Sequence, residues 1–279
     1  MEPEMTTLAG APARSRRHVA QAKPVTQGQV IRSEWIKLRT VRSSWFALAA
    51  TVLGIAGIGL LVSYFNNAHW STMSASSRAD FNPINQNLIG VNLSELIVGV
   101  LGVLVATGEY ATGMIRATFA AVPRRLPVLV AKAGVLAAVT FVVCLVTVLI
   151  AFLGGQALLG SHGISLGHPE AVRAVLGSTL YLTVVGVMGI GLGFLIRSTA
   201  GGIATLLAVL LVLPIMMAAL PGSWNNAFGR YLPSTAGRAL FTMNGGHAML
   251  SPWAGFGIFF LYAVVVVAAA ALALRRRDA

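Results

Sequence analysis

The chain has 279 residues, 56% of them apolar and only 10% charged, a balance that excludes an ordinary soluble domain and points to a polytopic membrane protein. Its net charge of +12 sits at the ends of apolar runs and forms no aromatic-studded basic domain, so anionic lipid is an expected partner and nucleic acid is not. A single cysteine, Cys144, lies within an apolar run, which excludes a disulfide framework and a cysteine metal site.

Residues 1–27, rich in Ala, Pro, Arg, Gln and Thr, read as a disordered basic tail, and residues 28–279 as a single transmembrane domain. From Gln29 to Ser44 the apolar residues Ile31, Trp35, Leu38 and Val41, with Trp45 just beyond, recur at helical spacing, with Arg32, Ser33, Lys37, Arg39 and Thr40 opposite them. This pattern predicts an amphipathic helix in the membrane interface. Glu34 and Arg42 fall near the edge of the stripe, and a carboxylate there requires a basic or backbone partner. A basic flank that only orients the first span explains the same residues; contact with a cytoplasmic partner is the functional alternative.

Six apolar runs, at about 45–64, 88–107, 128–153, 172–196, 203–220 and 254–274, are long enough to cross a hydrocarbon core of about 30 Å as helices. Their apolarity is continuous, not alternating, so the fold class is an all-α membrane protein and not a barrel. An N-terminus on the cytoplasmic side leaves only Arg78, Arg173, Arg230 and Arg238 of the twenty Lys and Arg residues outside, so both termini are expected in the cytoplasm.

The second run carries Asn92, Ser94 and Glu95 in its outer third. A carboxylate at a helix centre costs about 2.5–3.5 kcal/mol on insertion scales, so Glu95 must face protein or water. Asn92 and Glu95 are therefore candidates for lining a translocation path, the alternative being a paired Glu at a helix contact. Between the second and third runs lies GEYATGMIRATFAAVPRRLPVLVAK, Gly108 to Lys132, in which helix, glycine, proline and basic residues alternate. A helix from Glu109 to Ala120 would place Glu109, Gly113 and Arg116 on one face, with Gly113 allowing another backbone close and Pro123 ending the helix. Glu109 could then pair with Arg116 in its own helix, or with Arg39 or Arg42 of the N-terminal helix.

In the fourth run Gly186, Gly189 and Gly193 have the spacing of close helix packing. A short turn from Arg197 to Gly202 makes the fourth and fifth spans antiparallel neighbours, and Pro214 kinks the fifth. Between Pro221 and Pro252 the sequence LPSTAGRALFTMNGG predicts a short external helix with Ser234 as N-cap and a stop at Asn244, Gly245 and Gly246. Such a helix either re-enters the outer membrane face or lies on it as an amphipathic loop.

No residue pattern supplies energy. Gly108 and Gly113 have P-loop spacing, but Met114 and Ile115 stand where the phosphate-binding Lys and the magnesium-binding hydroxyl belong, and no zinc or nucleophile-elbow motif occurs. Ionisable groups within the third to sixth runs are confined to their ends, leaving Glu95 a weak relay for an ion-coupled carrier.

The spacing Glu109-x-x-x-Gly113, then Pro123-x-Arg125 and Lys132, resembles the cytoplasmic segment of ABC type-2 exporter permeases, in particular a bacterial branch with a GEYxTGMIR run. Met114, where many members carry Thr, and one extra residue before Pro123 are departures. The resemblance implies a permease subunit of an ATP-binding cassette exporter in the bacterial cytoplasmic membrane. Its ATP and magnesium would sit on two copies of a separate ABC ATPase subunit, and none on this chain. A second permease chain, identical or related, would complete the path for a lipid, antibiotic, peptide or other amphiphile. By the same resemblance the ATPase-coupling residues are Glu109, Gly113, Arg116, Pro123 and Arg125 in a coupling helix, assisted by Glu34, Trp35, Arg39 and Arg42 of the interfacial helix. A secondary carrier using Glu95 and a non-transporting membrane anchor or regulatory module are the alternative functions.

Overall fold

The computed structural model describes residues 25–243 and 249–276. Most of the expected basic tail and the stop at Asn244, Gly245 and Gly246 lie outside the described residues. Among those described, the chain is helical throughout, with no strand.

The N-terminal helix, Gln27–Thr40, starts where the Thr26 N–H donates to Gln29 Oε1 at 3.0 Å. It stops earlier than the periodicity predicts. Val41 is extended (φ −79°, ψ 116°), so this helix and the first span are separate rods. The Trp45 indole donates to the Arg39 carbonyl at 2.8 Å, satisfying one of the acceptors that a helix end leaves open. Ile31 and Trp35 point away from the protein, whereas Val30 and Glu34 are buried against it.

Among the described residues six helices are long and apolar enough to cross a membrane: Arg42–Ala68, Pro83–Ala111, Leu126–His162, Pro169–Ile196, Thr199–Ala218 and Pro252–Arg276. Four of these spans, the first three and the sixth, overrun the apolar stretch at both ends, because backbone hydrogen bonding continues after the side chains become polar. The fourth begins before its apolar run, and the fifth starts earlier and ends before its expected limit.

The fourth span is the most enclosed, and the second, third and sixth pack on it. The glycines set this arrangement. A Cβ at Gly102 would lie 2.1 Å from the Gly186 carbonyl, and one at Gly189 would lie 2.3 Å from that of Gly99. The second and fourth spans thus meet backbone to backbone, the close approach that small residues permit in membranes. Asn87, fully buried, ties two further spans together by donating to Ser63 Oγ at 3.1 Å and to the Ala151 carbonyl at 2.9 Å.

Two spans contain a π-helical turn. That in the fifth, Ala208–Val212, directly precedes Pro214, whose missing N–H leaves the carbonyl one turn back without its helical donor. The other, Leu53–Gly57 in the first span, lies where Gly90 of the second comes so close that a Cβ there would sit 2.2 Å from the Gly54 carbonyl.

Between the fifth and sixth spans lie two short helices, Gly222–Phe228 and Pro233–Arg238. Ser234 is not the N-cap of the second. That helix begins at Pro233, whose fixed φ suits a first helical position, and Leu232 occupies the cap. The Ser234 hydroxyl is instead buried without a hydrogen-bond partner.

Overpacking a filled contact costs about 1–3 kcal/mol. Gly102→Val should therefore lower the thermal midpoint of the purified protein in detergent, whereas Gly134→Ala, in a helix and with nothing within 4 Å of the added atom, should keep or slightly raise it. Equal midpoints for the two variants would remove the close contact from the account of the fold.

Candidate functional site

At one end of the bundle the N-terminal helix, the last turns of the second span and the first turns of the third each contribute charge to one buried cluster. Lys132 Nζ lies 2.5 Å from Glu34 Oε2 and 2.7 Å from Glu109 Oε1. Lys37 Nζ lies 2.8 Å from Glu34 Oε1 and 2.8 Å from the same Glu109 oxygen. The remaining oxygen of Glu109 accepts from Thr118 Oγ1 at 3.1 Å. Two carboxylates and two ammoniums therefore balance, and every carboxylate oxygen is bonded.

Burial decides which member matters most. The Lys132 and Glu34 side chains are each 3% exposed, whereas that of Lys37 is 30% exposed. Burial alone would pull the Lys37 ammonium down, but hydrogen bonds and charge from Glu109 and Glu34 leave it above the ordinary lysine value. Its stabilising contribution is thus complete below the ordinary lysine range and is lost only as pH rises through the raised value.

The second span ends at Ala111, and a separate helix, Met114–Ala121, follows. One helix from Glu109 to Ala120 is therefore not formed. Gly113 breaks it, with φ +71° in the left-handed region that glycine tolerates, just past the C-cap Thr112. A Cβ at Gly113 would meet nothing within 4 Å, so its role is the turn and not close approach. After the break Arg116 is exposed and does not share a face with Glu109. The Glu109 partners are Lys37 and Lys132, not Arg116, Arg39 or Arg42. Arg39, Arg42 and Trp35 are exposed outside the cluster.

The short helix is seated by Ile115 and Phe119, buried in an apolar cluster with Val30, Val128, Leu129 and Leu274. Its end at Ala121 follows from Pro123, which disfavours helical backbone at Val122 (φ −125°, ψ 82°). Arg125 stacks its guanidinium 5.4 Å from the Phe119 ring and donates to the Leu274 carbonyl at 3.2 Å, joining the segment to the end of the sixth span. The segment from Glu109 to Lys132 is thus joined to the N-terminal helix through Glu34 and Lys37 and to the sixth span through Arg125.

A second buried charge lies toward the other end. Glu95, 1% exposed, accepts from the Tyr181 hydroxyl of the fourth span and from the guanidinium of Arg238, at the end of the short helix Pro233–Arg238. Asn92, one turn before Glu95, is exposed and lines a cavity of about 430 Å³ with Asn85, Thr235 and Arg238. The structure therefore separates the two: Asn92 faces open space, and Glu95 is held in an ion pair.

A family model described as ABC-2 family transporter protein matches residues 30–223, more than half of the chain. The chain belongs to the ABC-2 transporter family. No curated protein matches it. Family and six apolar helices together make this a multi-pass membrane protein and an ABC transporter permease, a family that works with an ABC ATPase partner.

Within this permease, Lys37, Lys132 and Thr118 complete the cluster; the sequence marked Lys132 by its spacing and Lys37 by its place on the polar face, but neither as a partner of Glu34 or Glu109. A signal for Lys132 exists: an ammonium near the start of a long apolar helix requires a carboxylate, and the chain has only eight acidic residues. Removing one partner of a buried ion pair costs about 3–5 kcal/mol, because the other charge stays buried. Lys132→Met should therefore destabilise the protein far more than Lys37→Met, as read by thermal melts in detergent. A smaller loss for Lys132→Met than for Lys37→Met would contradict the geometry.

Proposed function

We propose that this permease is the membrane subunit of an exporter in a bacterial cytoplasmic membrane, with both termini in the cytoplasm, driven by two copies of a separate ABC ATPase subunit. A second permease chain, a copy or a relative, completes the path. The single observation that carries the coupling part of this reading is the four-charge cluster, in which Glu109 joins the second span to the N-terminal helix, the third span and the Met114–Ala121 helix at once.

Force applied to the Met114–Ala121 helix by an ATPase reaches the second span through the Gly113 turn and the Thr118–Glu109 hydrogen bond. It reaches the third and sixth spans through the segment from Pro123 to Arg125. In this reading Arg116, exposed on the short helix, contacts the ATPase, together with Arg39 in the last turn of the N-terminal helix and Arg42 at the start of the first span. Because buried charges cannot separate cheaply, the elements that carry them move together. The substrate class that apolar spans suit is an amphiphile: a lipid, antibiotic or peptide.

At the other end, the Glu95–Arg238 pair ties the external helix to the second and fourth spans. In this reading it closes the exit, and Asn92 lines the space behind it. Nothing in this reading requires a relay role for Glu95, whose carboxylate is tied to Arg238 and Tyr181.

Reconstitution with the ATPase encoded for this permease tests the proposal. Glu109→Gln and Gly113→Val should leave ATP hydrolysis present while lowering transport about 5- to 150-fold, the range spanned by coupling free energies of about 1–3 kcal/mol. Undiminished ATP-driven transport in both variants would exclude the lever. Transport that runs on a proton gradient without ATP, and stops in Glu95→Gln, would support a carrier instead.

A further inference from the structure

A cleft of about 310 Å³ opens beside the charged cluster. Leu38 of the N-terminal helix, Leu101, Leu104 and Val105 of the second span, and Val135 and Leu136 of the third form its apolar walls. Glu34, Lys37, Glu109 and Lys132 lie along one side of it. Ligand pockets run from about 300 to 1,000 Å³, so this cleft has room for a single slender chain and not for a bulky molecule.

The charged side selects the head that such a chain can carry. Each oxygen of Glu34 and Glu109 already accepts from an ammonium or a hydroxyl, so a cationic head would have to share those acceptors with Lys37 and Lys132, against the repulsion of two ammoniums. An ammonium has three N–H donors, and Lys37 directs two of them to Glu34 and Glu109. The third remains, on a side chain that reaches the opening. Val41, also on the lining, is followed in the chain by Arg42 and preceded two residues earlier by Arg39, both exposed and both outside the lining itself. The head that fits is an anion, and the body that fits is a hydrocarbon.

We propose that this cleft binds one acyl chain of an anionic phospholipid from the adjacent leaflet, with the lipid phosphate accepting the remaining N–H of Lys37. Bound there, the lipid would fill the space between the N-terminal helix and the second and third spans and would steady the cluster that joins them. The site depends on the position of the cleft at the end of the spans and does not depend on what the permease transports.

Gly108 provides the test. It lines the cleft, and a Cβ built on it meets nothing within 4 Å, so a larger side chain can enter the cleft without displacing protein. The full-length protein, stripped of lipid, is titrated with phosphatidylglycerol or with phosphatidylcholine of the same chains, and bound lipid is counted by native mass spectrometry. The wild type should bind one phosphatidylglycerol saturably and phosphatidylcholine at least tenfold more weakly. Gly108→Leu should lose that site, Gly108→Ala should keep it, and Lys37→Gln should weaken phosphatidylglycerol binding at least tenfold, since a hydrogen bond from a charged donor to the lipid phosphate contributes about 1.5–3 kcal/mol. Thermal melts that match the wild type establish that Gly108→Leu is folded; if it is not, Leu104→Trp fills the same space from the wall. Saturable binding that survives a filled cleft, or equal affinity of the wild type for the two lipids, overturns the proposal. Displacement of the lipid by millimolar inorganic phosphate alone would also overturn it, because the hydrocarbon would then contribute nothing.

Discussion

Lys132 cannot be buried alone. An ammonium near the start of a long apolar helix must meet carboxylates, and the two that reach it come from elements far apart in the chain, Glu34 from the N-terminal helix and Glu109 from the end of the second span. Once those two are brought together, Lys37 is needed to balance the charge, and it lies one helical turn from Glu34. The docking of the N-terminal helix on the third span follows from that requirement, and Thr118 adds the Met114–Ala121 helix to the cluster.

The rest of the bundle is organised by a different constraint. Around the fourth span, glycines let backbones meet, and in a membrane such contacts replace the hydrophobic drive that lipid cannot supply. The result is a tightly packed pair of spans, the second and fourth, with the fifth and the sixth far less enclosed. The Lys132 cluster holds one end of this packed pair, and Glu95 with Arg238 lies near its middle, so the second span carries one buried carboxylate by its end and one about halfway along.

Much of this was legible in the residues, and for identifiable reasons. Membrane crossing depends on the length and apolarity of contiguous runs, so six spans could be counted without knowing their neighbours. Gly189 and Gly193 signalled close packing because a missing side chain has few other uses inside an apolar helix. Pro123 marked a helix end through local sterics alone. By contrast, Gly113 read as a close-approach residue, and only its positive φ shows that it is a turn. The apolar periodicity of the N-terminal helix is carried by Ile31 and Trp35, which point away from the protein, and it gives no sign that Val30 and Glu34 are the residues buried against it.

Local chemistry acts over a few residues, and the sequence by itself determined what such chemistry controls: the helical class, the span count, the breaks at glycine and proline, and the need of Glu34, Glu95 and Glu109 for partners. Which partners they found was decided by the tertiary structure. Glu109 had arginines nearer in sequence, but Arg116 was carried away by the Gly113 turn, while Lys132 was delivered to it by the antiparallel return of the third span. Arg238 reached Glu95 across 143 residues in the same way. Pairing of buried charges depends on distances in space, and only the packing of one helix on another sets those.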